Sequence, residues 1–186
     1  MSVMRFLGVL LAAWLLAMPA TADIAFYGGG GGVSVVATAG PVSLTGSTSE
    51  TNLAALKIPA GAIGKNGAVQ IVTLWTYTNS SNNKTIIFRY ANTSGTTTGA
   101  LLGNNLVVTT TAAAQLLNII HANNATNAQL SWNQAGNTPF NTGGVAAVAL
   151  SVDTTQDSYI NINGILALGT ETLTLQHAYA VVFPGK

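Results

Sequence analysis

The sequence predicts an all-β domain, an antiparallel β-sandwich of jelly-roll type with about eight to ten strands, preceded by an apolar N-terminal helix. From Val33 onward, short apolar or alternating runs are separated by Gly, Asn, Ser, Thr and Pro. Such runs are typical of a sandwich or a barrel, whereas βαβ units would need helical patterns between the strands. Only 6% of the residues are charged, so Thr, Asn, Ser and Gln must supply most of the polar surface.

The first 22 residues form an apolar segment unlike the rest of the chain. Arg5 precedes an apolar run over residues 6–18, and an Ala-Thr-Ala triplet stands before Asp23. This is the pattern of a signal peptide, and the run is shorter than the roughly 20 residues of a membrane-spanning helix. The segment is either removed before Asp23 or retained as an anchor or oligomerisation helix, which would need a partner for its apolar surface.

The remaining chain is predicted to contain a linker and one domain. Five glycines, Gly28 to Gly32, have no side chains to pack and indicate a flexible linker. Residues 23–40 therefore form a Gly-rich linker with the first strand, and residues 41–186 form the sandwich. A chain of 186 residues can bury a full core, so the absence of Cys is no handicap.

Nine segments have the composition and length of strands. They are Val33 to Ala37, Asn52 to Ile58, Ala68 to Thr78, Thr85 to Ala91, Leu106 to Thr110, Ala128 to Gln134, Val145 to Val152, Tyr159 to Leu166 and Thr172 to Phe183. Residues 111–121 are ambiguous, because their apolar positions fit helical spacing while the flanking threonines suit a strand. We expect a strand there, since the segment lies among strands.

The stretch from Ile58 to Thr85 is predicted to be the centre of the domain. It consists of a turn, a long strand and a second turn rich in Asn and Ser, which favours an antiparallel hairpin with the strand that follows. Alternation places Trp75 and Tyr77 on one apolar face of the long strand. The opposite face, with Val72 and Leu74, is also partly apolar, so we expect a central strand covered on both sides.

Two C-terminal strands also alternate. Ile160, Ile162, Leu166 and Leu168 are predicted to share one face, with Asn161 and Asn163 pointing away. In the last strand, alternation from Leu173 to Phe183 puts a second set on one apolar face, which comprises Leu173, Leu175, His177, Tyr179, Val181 and Phe183. A histidine on such a face is most often a core or interface residue rather than a catalyst.

Charge and motif content argue against several functions. The net charge is +1 without a basic cluster, so nucleic acid is not an expected partner. Gly64-Lys65 lacks the upstream Gly and the following Ser or Thr of a nucleotide-binding loop. Five acids in the whole chain leave little material for paired catalytic carboxylates, and no G-x-S-x-G motif is present. We therefore expect no enzyme, no catalytic residue and no cofactor.

Binding sites are predicted only in outline. Asp153 and Asp157 bracket three polar residues and resemble two ligands of a Ca²⁺ loop, but with no third acid nearby a solvated turn explains them, and no metal site is expected. Trp132 and Phe140 are candidate contacts for a ligand or partner, because a flat aromatic ring can stack on a sugar. Core packing for Trp132 and loop anchoring for Phe140 are the alternatives.

One resemblance extends this interpretation. Four segments carry it: Ile58-Pro-Ala-Gly-Ala-Ile-Gly-Lys-Asn-Gly67, Leu74-Trp75-Thr-Tyr77-Thr-Asn-Ser-Ser-Asn-Asn-Lys84-Thr85, Asn92-Thr93-Ser94-Gly95-Thr96 and the terminal Val181-Val182-Phe183-Pro184-Gly185. Together they resemble a β-sandwich module of tailed-phage structural proteins. The resemblance implies a virion protein that decorates or projects from the head, neck or tail as a decoration, fibre or spike component. It also implies a homotrimer that contacts other virion proteins and aids adhesion to a host glycan.

The leading hypothesis is therefore a non-enzymatic, oligomeric virion protein. Its very low charge suits packing against other subunits, since neutral polar groups lose less on desolvation than ions do. The alternative is an exported β-sandwich module that binds cell-surface glycans, secreted or periplasmic after cleavage before Asp23.

Overall fold

The described part of the chain is built from strands. The computed structural model describes residues 32–102, 106–110, 113–132 and 147–186. The strands are β1 (Ser34–Ala39), β2 (Val42–Thr45), β3 (Thr51–Ile58), β4 (Ala68–Tyr77), β5 (Lys84–Ala91), β6 (Ala100–Leu101), β7 (Leu106–Val108), β8 (Ala113–Ala125), β9 (Ala128–Trp132), β10 (Val148–Leu150), β11 (Ser158–Leu166) and β12 (Thr172–Phe183). In these ranges the chain forms no helix, and hence none that could cross a bilayer.

Two antiparallel sheets face each other. Sheet I has the order β1-β12-β4-β8-β9-β10, with β2 also paired to β12. Sheet II has the order β3-β11-β5-β6, with β7 also paired to β5. The chain crosses between the sheets from β2 to β3, β3 to β4, β4 to β5, β7 to β8, β10 to β11 and β11 to β12. The predicted all-β, two-sheet architecture is thus confirmed.

Most strand predictions are confirmed, and the ambiguous segment is strand β8. The number of strands exceeds the prediction because β2 and β6 are only four and two residues long. Segments this short carry too little alternation to be recognised in the sequence. The predicted N-terminal helix and nearly all of the glycine linker lie outside the described residues.

The predicted hairpin around the Asn- and Ser-rich turn is wrong. β4 pairs with β12 on one side and β8 on the other, so both of its hydrogen-bonding edges are occupied within sheet I. β5 instead pairs with β11 in sheet II. The turn chemistry correctly indicates a change of direction, but the connection carries the chain from one sheet to the other.

The core lies between the two sheets. On β4, Ile71, Trp75 and Tyr77 are buried, as the alternation predicts, and Ile160 and Ile162 of β11 approach from sheet II. The indole Nε1 of Trp75 donates a hydrogen bond to the buried Thr73 Oγ1 at 2.8 Å. Trp75 and Tyr77 are therefore packing residues, as expected.

The predicted apolar face of the last strand is wrong beyond Leu175. The pairing of β12 with β4 contains a register shift between Leu175 and His177, which is a β-bulge. A bulge adds one residue and reverses the side-chain alternation. Leu173 and Leu175 face the core as predicted, but after the bulge it is Ala178, Ala180 and Val182 that are buried. His177, Tyr179, Val181 and Phe183 consequently lie on the outer face of sheet I.

The expectation that the long strand is covered on both sides is correct only for part of its length. Val72 on the outer face is largely buried, but its neighbour Leu74 is 45% exposed. Leu168, predicted to share the core face of β11, lies beyond the end of that strand and is also exposed.

Candidate functional site: an uncharged sheet face and four polar clusters

Over its described strands, the outer face of sheet I carries no charged residue. None of the seven strands of that sheet, over their described lengths, contains Asp, Glu, Lys or Arg. The strands of sheet II contain Lys57, Lys84 and Arg89. The ionic groups of the folded domain are therefore distributed very unevenly between its two sheets.

Large apolar side chains are exposed on this uncharged face. Val35 of β1 is 52% exposed, and Leu74 of β4, Phe183 of β12 and Leu130 of β9 are also exposed. Strand pairing makes the surface continuous, because Val35 lies beside Val181 and Leu74 beside His177. We call this surface the sheet I face.

Two histidines lie on the sheet I face. His177 is exposed and its ring is 5.8 Å from that of Tyr179, measured between centroids. His121 is exposed on β8, where it pairs with Ala68 and Leu130. The sequence predicts a core or interface position for His177, and its exposure shows that it does not lie in the core.

The outer face of sheet II is closed by a polar network that the sequence analysis missed. Asn161 and Asn163 of β11 are fully buried although they point away from the core. Asn161 Nδ2 donates to Thr93 O at 3.1 Å, and its Oδ1 accepts from Gly95 N at 2.7 Å. These amides hold the loop after β5 over the sheet, which satisfies their hydrogen-bonding groups.

An ion pair completes that network. Arg89 contacts Glu50 with two parallel hydrogen bonds, Nε to Oε1 at 2.7 Å and one Nη to Oε2 at 2.8 Å, while its other Nη donates to Gly99 O. Asn163 Nδ2 donates to the same Glu50 Oε1 at 2.6 Å. The hydrogen bonds from Arg89, followed by that from Asn163, keep the pKa of Glu50 below its ordinary value despite partial burial.

A second ion pair is buried where β4 crosses to β5. Lys84 Nζ donates to Ser80 Oγ at 2.6 Å and to Asn82 O at 2.8 Å, and it lies 3.4 Å from Glu171 Oε1. Ser80 also hydrogen-bonds to Glu171, which lowers the pKa of that carboxyl together with the contacts from Asn82 and Lys84. Glu171 Oε2 has no hydrogen-bond partner among the described residues. The cluster anchors the crossover connection.

The two aspartates considered for Ca²⁺ are engaged separately. Asp153 Oδ1 accepts from Thr155 N at 2.9 Å and from Thr155 Oγ1 at 2.6 Å, a local turn that lowers the pKa of Asp153. Asp157 pairs with Lys57 at 2.5 Å and accepts from Ala60 N, and both contacts lower its pKa. Within the described ranges, no group of three or more His, Asp or Glu side chains comes together.

The two aromatic candidates are placed only in part. Trp132 is the last residue of β9 and pairs with Ile119 of β8, while its side chain lies outside the described residues. Phe140 lies wholly outside them. Their role in ligand or partner contact stays a prediction.

Two segments that are distant in sequence, both quoted above for the phage-like resemblance, meet in space. Gly185 N donates to Ile63 O at 2.8 Å, and Asn66 Nδ2 donates to Lys186 O at 2.8 Å. At Gly64, where φ is +69°, an added Cβ would collide with the carbonyl group of Gly185. The turn after Ile58 and the C-terminal Pro-Gly therefore form one packed unit.

Comparisons with known proteins give little beyond this geometry. No family model and no curated protein matches the chain. A structure of the infectious bursal disease virus Gx strain is similar over 82% of this chain and 32% of that chain, with 9% identity and a TM-score of 0.42. Dimeric latent PorU from Porphyromonas gingivalis is similar over 82% of this chain and 14% of its own, with 9% identity and a TM-score of 0.34. The chain thus spans less than two thirds of either protein.

Proposed function

We propose that the protein is a non-enzymatic structural component of a phage virion, an oligomeric β-sandwich that decorates or projects from the head, neck or tail. The observation that carries the proposal is the sheet I face, which presents apolar side chains and no ions. A protein that works by packing against other subunits benefits from such a surface, because burying it leaves no charge unpaired. The phage assignment rests on the resemblance of the quoted segments, two of which, the turn after Ile58 and the C-terminal Pro-Gly, pack against each other.

We also infer that the strand order is a jelly roll. β1 and β2 both pair with β12 and count as one strand position, and β6 and β7 both pair with β5 and count as another. The sheets then have four positions each, β1/β2-β12-β4-β8 and β3-β11-β5-β6/β7, and β9 and β10 extend sheet I. Eight strands in two sheets with Greek-key connections define the jelly roll, which occurs in viral capsid and lectin domains. The fold alone does not fix the function.

The ionisable groups favour a structural role. Glu50, Glu171 and Asp157 are each paired with a cation, and Asp153 is engaged by its own turn. Such contacts stabilise the ionised carboxylates, whereas a general acid needs a carboxyl whose pKa is raised towards neutrality. The proposed oligomer is a homotrimer, in keeping with the resemblance.

Intact-mass spectrometry of purified particles of the phage that encodes the chain tests the proposal. We expect the protein in the particles at a fixed copy number, with its mass corresponding to a start at Met1 or Ser2. A protein missing from particles and recovered outside the cytoplasm as a chain beginning at Asp23 would refute the proposal. That result would favour the exported glycan-binding module.

A further inference from the structure

The residues that β12 presents outwards are unusual for a free surface. After its bulge the strand buries Ala178 and Ala180 in the core and places Tyr179 and Phe183 outside. Burial of apolar area stabilises a fold in proportion to that area, so a solitary domain would gain more with its larger side chains inside. The arrangement suits a strand whose two faces are both buried in the assembled protein.

The absence of charge restricts what can cover the sheet I face. An ion from a partner would lose its hydration there without gaining an ion pair, because the described strands of sheet I contain no Asp, Glu, Lys or Arg. The complementary surface must itself be uncharged. A second copy of the same face meets this condition and brings no like charges together.

The size of the face fits a stable interface. Six strands from β1 to β10 at about 4.8 Å spacing span about 24 Å, and the ten residues of β4 extend about 33 Å. The product is roughly 800 Å², which is about the area that each partner buries in a standard protein interface. Exposed Val35 and Leu74 lie two strands apart within it.

We propose that the sheet I face is the self-association surface of this protein, and that in the homotrimer it is covered by the same face of the two other copies around the threefold axis. The inference rests on the proposed function, since it identifies the surface through which the structural oligomer forms. Sheet II, with its three cationic residues and its covering loop, then faces away from the other copies.

Charge substitution on the full-length chain tests this surface. Leu74→Lys puts an ammonium in the middle of the face, and Val35→Lys does so on β1 in case the first variant does not fold. The matched control is Val107→Lys on β7 of sheet II, because Val107 is 49% exposed and Leu74 is 45% exposed. Far-UV circular dichroism verifies folding, and sedimentation velocity over a concentration series gives the dissociation constant.

We expect the wild type to self-associate, Leu74→Lys and Val35→Lys to weaken self-association by at least about 100-fold, and Val107→Lys to leave it unchanged. A wild-type chain that remains monomeric at every concentration overturns the inference. Folded lysine variants on sheet I that associate as tightly as the wild type also overturn it.

Two further readouts separate this inference from the proposed function. If the sheet I variants still self-associate but are lost from particles, the face binds another virion protein, and the virion assignment stands. If they self-associate and residues 1–31 become newly sensitive to protease, the face is covered by that segment. Either result refutes self-association through the sheet I face and leaves the proposed virion function unchanged.

Discussion

Replacing Trp75 by Ala should destabilise the domain strongly. The side chain is fully buried between the sheets, and loss of a buried tryptophan costs about 3–5 kcal/mol. The substitution also removes the donor to Thr73 Oγ1, itself buried, which adds about 1 kcal/mol. The expected total of about 4–6 kcal/mol approaches the whole stability of many domains, about 5–15 kcal/mol.

Trp75→Phe makes the prediction measurable even if the alanine variant does not fold. Phenylalanine keeps most of the apolar volume but lacks Nε1–H, so we expect a loss of about 1–2 kcal/mol. Urea unfolding followed by far-UV circular dichroism measures both variants, with the exposed Val107→Ala as a control expected within about 0.5 kcal/mol of wild type. A Trp75→Ala variant within about 1 kcal/mol of wild type would refute the assignment of Trp75 to the core.

Three further predictions concern ionisation and backbone packing. Burial raises the pKa of Tyr90 from 10.0 to about 12, so the free energy of unfolding should fall by about 2 kcal/mol as pH rises from 10 to 12, and Tyr90→Phe, measured in parallel, should lack this component. Because the folded-state pKa of Glu50 is below 4.5, its pairing stabilises the fold above that pH, and this stabilisation is lost on acidification. The difference in unfolding free energy between wild type and Glu50→Gln should therefore be larger at pH 7 than at pH 3. Equal differences at the two pH values would contradict the pairing. Gly64→Ala should destabilise more than Gly61→Ala, because both glycines have positive φ but an added Cβ meets another backbone only at Gly64. Thermal unfolding compares the two, and equal melting temperatures would contradict the close packing.

Local patterns predicted the strands well but could not assign them to sheets. Alternation around Trp75 is regular and has a single physical cause, burial of one strand face, so the core residues of β4 followed from the sequence. The Asn- and Ser-rich turn after Tyr77 specifies a reversal of the chain, and both a hairpin and a crossover satisfy it. The edges of β4 are filled by β8 and by β12, whose first residues lie 36 and 95 positions beyond Tyr77. No local signal contains that information.

The bulge in β12 explains the other main error. Gln176 is an ordinary strand residue in the sequence, and nothing marks the extra residue that reverses the alternation at His177. Ala178 and Ala180 could have indicated the reversed alternation, because small residues fit where two sheets approach closely. The uneven distribution of charged residues between the sheets follows from the sequence once each strand is assigned to its sheet, because it depends only on the positions of Lys57, Lys84 and Arg89.

The placement of the last two strands has a consequence for how the chain acquires its structure. β11 is inserted between β3 and β5, and β12 lies between β1 and β4, so each sheet has a central strand from the end of the sequence. Until residues 158–183 are available, β3 and β1 lack their sheet neighbour, and β5 and β4 each have one unpaired edge. Such long-range pairing folds slowly and leaves unpaired edges exposed meanwhile. The two sheets can therefore be completed only after β11 and β12 have been synthesised, and the incomplete domain before that point is prone to aggregate through its open edges.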